Sequence, residues 1–114
     1  MAYNAVFVGW NNARSDRLSH ALEHFAEWGA WLGKLQADKK IDSFDILMLD
    51  PHGGDLNGFA IVKADADKLD ALRKTEEWMD HLTRGDRNME GMGVINAIHG
   101  ELIGPQMARI QKYI

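Results

Sequence analysis

The strand-like runs of this chain carry apolar side chains on both faces, and no other feature limits its fold as much. In Ala5–Trp10, Val6, Val8 and Trp10 point one way while Ala5, Phe7 and Gly9 point the other. Ile41–Asp50 repeats the pattern, with Phe44, Ile46 and Met48 on one face and Leu47 and Leu49 on the other. A strand greasy on both sides belongs in a sheet covered on both sides. The helices available to do the covering are few.

The first of them is the longest run with a sustained helical period. Leu18, Leu22, Phe25, Gly29 and Leu32 recur at steps of three and four and form one stripe. Ser15 stands at an N-cap position with Asp16 in the first turn, and the helix is expected to run to about Ala37. After the second strand, residues 51–58 (PHGGDLNG) are turn formers that read as a long hairpin loop, leading to a third strand over Phe59–Ala64. A second helical region follows from about Ala66 to Arg84. Thr75 with Glu76 and Glu77 resembles a fresh helix start, so a break is expected near Lys74 and Thr75. Gly85, Asp86, Arg87 and Asn88 read as a polar exit, Gly91–His99 as a fourth strand, and Gly104–Pro105 as the opening of a short last helix with Met107, Ile110 and Ile114 apolar.

Strand, helix, strand, hairpin, strand, helix, strand is the split βαβ order of a ferredoxin-like α+β fold: one four-stranded antiparallel sheet with both main helices on one face. The other face would be an apolar patch larger than monomers tolerate. Its economical cover is a second copy, giving a two-fold homodimer packed sheet against sheet. The 114 residues suit a single domain spanning 1–114. A net charge of −4 without a basic block argues against nucleic acid, and no window approaches a membrane span. The absence of cysteine removes disulfides, thiolate nucleophiles and cysteine-held metal, and with no secretory leader pattern the expected compartment is the cytoplasm.

The order of elements, the two-sided strands and the stretch Asp67–Leu82 (DKLDALRKTEEWMDHL) resemble the dimeric α+β barrel superfamily. That superfamily includes antibiotic-biosynthesis monooxygenases, haem-degrading oxygenases, muconolactone isomerase and YCII-like proteins. The resemblance implies a homodimer with an apolar cavity in each subunit that holds a small, partly aromatic metabolite. It also implies Asn, Trp and His as working residues in members that act on oxygen without metal or flavin. Asn11, Trp78 and His81 are counterparts by type and element, although the helical wheel puts His81 on the polar side.

Read from the residues themselves, the candidates are scattered. His20 and His24 have the one-turn spacing of paired metal ligands, but no third ligand accompanies them, and a solvated or flank-packed pair is the simpler reading. No metal or cofactor is expected. Trp28 and Trp31 could wall a pocket for a planar ligand or sit in a subunit interface. Trp10, Asn11, Asn12 and Arg14 follow the first strand, where a site can draw polar groups, or where asparagines simply close a loop. Asn96, flanked on its face by Val94 and Ile98, is expected to be buried and therefore to pair across a dimer or line a cavity. His99 could titrate as a base at the strand's end or be half-exposed there, and His52 could reach a ligand from a mobile hairpin. The function expected is ligand binding in a dry pocket. If the protein is an enzyme, the resemblance implies an oxygenation or isomerisation in that pocket, with His99 or His24 moving a proton and Asn96 or Asn11 orienting the substrate. A non-catalytic binding protein and a haem binder with one axial histidine are the alternatives.

Overall fold

A computed structural model of the protein describes residues 2–114. Four strands, β1 (Ala5–Trp10), β2 (Ser43–Met48), β3 (Gly58–Lys63) and β4 (Gly93–Ala97), form one antiparallel sheet in the order β2-β3-β1-β4. The helices are α1 (Leu18–Ala37), α2 (Ala66–Arg73), α3 (Glu76–Asn88) and α4 (Ile103–Gln111), the last preceded by a 3₁₀ turn at Gly100–Leu102. The ferredoxin-like topology expected from the element order is the one observed.

The register of the sheet sorts the side chains into two faces. Val6 lies opposite Val62 and Asn96, and Val8 opposite Ala60 and Val94, so these share the face under the helices with Phe44, Ile46 and Met48. There Val6, Val62, Leu32 and Ile41 are fully buried and pack with Leu35, Leu69, Leu72 and Trp78 into one core. The opposite face carries Phe7 stacked on Phe59 with ring centroids 5.0 Å apart, beside Ile61, Leu47 and Ile95. Leu47 is 41% and Ile95 58% exposed, which leaves this face without cover from the chain's own helices.

The break in the second helical region falls where the sequence placed it. Lys74 caps α2, and the Thr75 hydroxyl accepts a hydrogen bond from the Trp78 N–H to open α3. Asp65 does the same for α2 through the Lys68 N–H at 2.9 Å.

Other boundaries move. The cap of α1 is Arg17, not Ser15, and no carboxylate lies in its first turn. The reason is a turn before the helix, closed by the Arg17 N–H on the Arg14 carbonyl at 2.8 Å. Gly85–Asn88 is the last turn of α3 rather than an exit, because Met89 N–H still reaches the Gly85 carbonyl. β4 is shorter than expected at both ends, and α4 begins at Ile103, ahead of Pro105.

α4 has no buried residue and packs against no element but the 3₁₀ turn that leads to it. The radius of gyration, 15.6 Å, accordingly exceeds the roughly 13 Å usual for this length.

Candidate functional site

The apolar stripe of α1 does not do one job along its length. Toward the C-terminal end Leu32 and Leu35 are buried in the core, but Leu18, Leu22 and Phe25 are 58%, 63% and 37% exposed. The residues that turn inward there are Ala21 and His24. The space that Leu18, Leu22 and Phe25 border is a cavity of about 390 Å³ between α1, α3 and the helix-side face of β1 and β2. Its size is in the usual range for a small-molecule site.

Aromatic rings make the floor and walls. Trp10 meets Phe25 and Trp28 edge to face, with centroids 6.1 and 5.8 Å apart, and Trp78 closes the α3 side. Trp10 holds its place because Gly58 lies beneath it: a Cβ on Gly58 would come within 2.9 Å of both the Trp10 ring and the Leu47 carbonyl oxygen. Met48, Met89 and Met92 add soft apolar surface, and Asn12, Asn57 and Asn88 supply amides.

The polar centre is a pair of histidines from different helices. His24 Nε2 and His81 Nδ1 are 3.0 Å apart, and the rings are within 7° of parallel. Their centroid separation of 5.2 Å is close to the largest that such a nitrogen–nitrogen contact allows. The rings therefore meet edge to edge, with the hydrogen bond in the ring planes where the N–H and the lone pair lie.

Burial is the main reason both imidazoles stay neutral. It pushes the His24 pKa down to about 4, with the positive charge of Arg84 and the competing titration of His81 adding to the effect and Glu27 opposing it. His81 is also lowered by burial and then by Arg84, against the pull of Glu27, Asp80 and Glu77. Arg84 is itself paired with Glu27. A neutral pair with one proton between them leaves one nitrogen of each ring outside the bond, one of them protonated and one not.

Of the residues singled out in the sequence, Trp10, Asn12, His24, Trp28, Trp78 and His81 converge on this cavity. His24 is 8% exposed, so the solvated pair with His20 is replaced by a buried pair with His81, and His81 is half-buried rather than solvent-facing. His20 stays exposed, and among the described residues no cluster of three metal-ligating side chains exists.

The remaining candidates lie elsewhere. Trp31 stands behind the pair, 4.5 Å from the His81 ring and 6.4 Å from that of Trp78. Asn11 lies over Gly91, whose φ of 61° and missing Cβ make room for it. The ring of His52 is engaged within its own loop, at 2.7 Å from the Leu56 carbonyl and 3.3 Å from the Gly54 N–H. His99 is tied through its backbone to the side chain of Asn4.

Asn96 corrects an expectation, since it is exposed rather than buried. On the edge strand it has solvent beside it, and Arg73 satisfies its side-chain oxygen.

Asn57, Asn88, Met89 and Met92 were not anticipated. For Asn88 a signal existed: Trp78, His81, Leu82, Gly85, Asn88 and Met89 keep one helical phase, which continues through the turn taken for an exit.

No family model matches the sequence, and no curated protein matches it. Solved structures do. A dimeric protein of unknown function with a ferredoxin-like fold from Bacteroides fragilis superposes with a TM-score of 0.60 at 12% identity, over 83% of this chain and 95% of that one. SnoaB, a cofactor-independent oxygenase from Streptomyces nogalater, superposes with a TM-score of 0.53 at 15% identity, over 87% of this chain and 97% of that one. At these identities the likeness speaks for architecture. The chain has the ferredoxin-like fold.

Proposed function

We propose that the protein is a homodimer, sheet face against sheet face, and that each subunit binds a small, partly aromatic molecule in its aromatic-walled cavity, where the His24–His81 pair moves a proton. The observation that carries this reading is a mutually hydrogen-bonded imidazole pair on the wall of an apolar cavity. A neutral imidazole with a free lone pair is a base at physiological pH. When one outer nitrogen takes a proton from an acidic O–H or C–H of the ligand, the shared proton can cross the 3.0 Å bond. The charge then spreads over two rings instead of resting on one buried ring.

Proton removal of this kind opens both isomerisation and cofactor-independent oxygenation. The second is supported by the fold shared with a cofactor-independent oxygenase. The dimer is supported by the uncovered face holding Phe7, Phe59, Leu47 and Ile95, and by the dimeric protein of the same fold.

The test uses naphthol as probe. Its binding should quench the tryptophan fluorescence of the protein, and Trp28→Ala should abolish most of the quenching. In sedimentation the protein should run at twice its 12.9 kDa chain mass. Oxygen uptake or tautomer exchange with a phenolic panel should fall at least about a hundredfold in His24→Leu and in His81→Leu if the pair is the base. Binding without turnover in the unaltered protein would instead leave a ligand-binding protein of the same pocket.

A further inference from the structure

A second hollow, of about 260 Å³, lies where α1 begins and α3 ends, and its lining is charged where that of the first is aromatic and apolar. It is lined by Arg17, His20, Glu23, Arg84, Arg87 and Asn88. Arg14 is at the same corner, with its guanidinium on the Asp86 carbonyl. Arg14, Arg17, Arg84 and Arg87 are four of the six arginines in a chain whose net charge is −4.

In a protein with more acidic than basic residues, such a cluster should be surrounded by carboxylates. Among the described residues only Arg84 is paired, with Glu27, while Arg14, Arg17 and Arg87 have no carboxylate partner. Glu23 is the one acidic side chain in the lining.

Arg17 shows the imbalance most clearly. It is half-buried, and its Nε and Nη2 both donate to Asn88 Oδ1, at 3.1 and 2.9 Å. The amide orients the guanidinium but does not neutralise it. Asn88 is 3% exposed and lines both hollows, and Arg17 immediately precedes Leu18 on the rim of the aromatic pocket. The first N–H groups of α1 have no side-chain cap at this same corner, which adds partial positive charge. Uncompensated guanidinium groups held in a concave corner raise the local concentration of anions and favour planar, bidentate acceptors.

We infer that this corner is the anion-binding end of the aromatic pocket, with Arg17 and Arg87 receiving the carboxylate of a ligand whose apolar ring lies against Trp10 and Trp28. The ligand is thus an aromatic carboxylic acid. This rests on the pocket reading above, and the test separates the two.

Naphthoic acid and its uncharged isostere naphthamide are titrated into the protein by calorimetry at about pH 7.5 and low salt. The acid should bind about tenfold more tightly or better, as expected for a charge-assisted pair. Arg87→Gln should remove most of the preference for the acid, leaving what Arg17 alone supplies, without changing the amide, and Arg87→Lys should keep more of it. About 0.5 M sodium chloride should erode the preference in the unaltered protein.

Equal affinities, indifferent to Arg87→Gln, would overturn the anion end and leave the pocket standing. Binding of neither probe would remove the pocket and this inference with it. If Arg87→Gln loses both probes through misfolding, the salt series decides: a preference for the acid that salt does not erode overturns the assignment.

Discussion

The two halves of α1 have similar apolar content and opposite roles. The C-terminal half puts Leu32 and Leu35 into a dry core against Val6, Val62 and Ile41, whereas the N-terminal half leaves Leu18, Leu22 and Phe25 standing around a cavity. Burial stabilises the first half. The second forgoes that stabilisation to keep space open, and the gap is bordered by His24 rather than filled by a leucine. An apolar stripe therefore marks which side of a helix faces inward. It does not say whether protein or ligand will meet it.

The sharpest way to break this contrast is to truncate one leucine in each half. Leu32→Ala should cost about 3 kcal/mol in urea denaturation, because Leu32 is fully buried and its removal leaves a void. A loss below about 1 kcal/mol would mean that the core end is as loose as the pocket end.

Acid should probe the pocket end with an effect of similar order. An unfolded His24 titrates near 6.5 and the folded one near 4, so between these values the unfolded chain binds the extra proton and stability falls as pH falls. The fall should begin near pH 6.5 and be complete near pH 4, with a size of about 3 kcal/mol. His81, shifted in the same direction, reinforces it. The checking measurement is the melting temperature from pH 7 to 4, and the slope should flatten in His24→Gln.

Gly58→Ala should come next, at about 1–3 kcal/mol, since its Cβ meets the Leu47 carbonyl and the Trp10 ring that floors the cavity. A change in near-ultraviolet circular dichroism should accompany it as Trp10 moves. Leu22→Ala, 63% exposed at the rim, should change stability by less than about 0.5 kcal/mol and weaken binding of an aromatic probe severalfold. If it destabilises as much as Leu32→Ala, the rim is core and the contrast fails. Asn96→Ala, exposed on the edge strand, should be the quietest of all in both measurements.

How much of this could be read beforehand follows from the same contrast. The order of elements, the break at Thr75 and the two-faced sheet were legible because they depend on alternation, helical period and capping, which are local. The site was legible only in pieces. Trp10, His24, Trp28, Trp78 and His81 could each be noticed, but their convergence depends on how α1 and α3 lie across the sheet, which no spacing encodes. His24 and His81 are 57 residues apart, and the sequence pairs His24 with His20 and puts His81 on a polar side. Asn96 misled in the opposite way, because an apolar neighbourhood along a strand says nothing about whether that strand is an edge. The rotated stripe of α1 and the turn at Gly85–Asn88 were hidden for a related reason. A polar helix end looks like a loop until a partner is seen to use its side chains.

One property of the imidazole couple bears on what the cavity can recognise. Swapping the tautomers of His24 and His81 together exchanges giver and taker at the two outer nitrogens while every heavy atom stays in place. On the proposed reading, the same wall greets a carbonyl or a hydroxyl at one position. A guest could pass between keto and enol forms without losing its grip, and the protein would need no hinge to follow it.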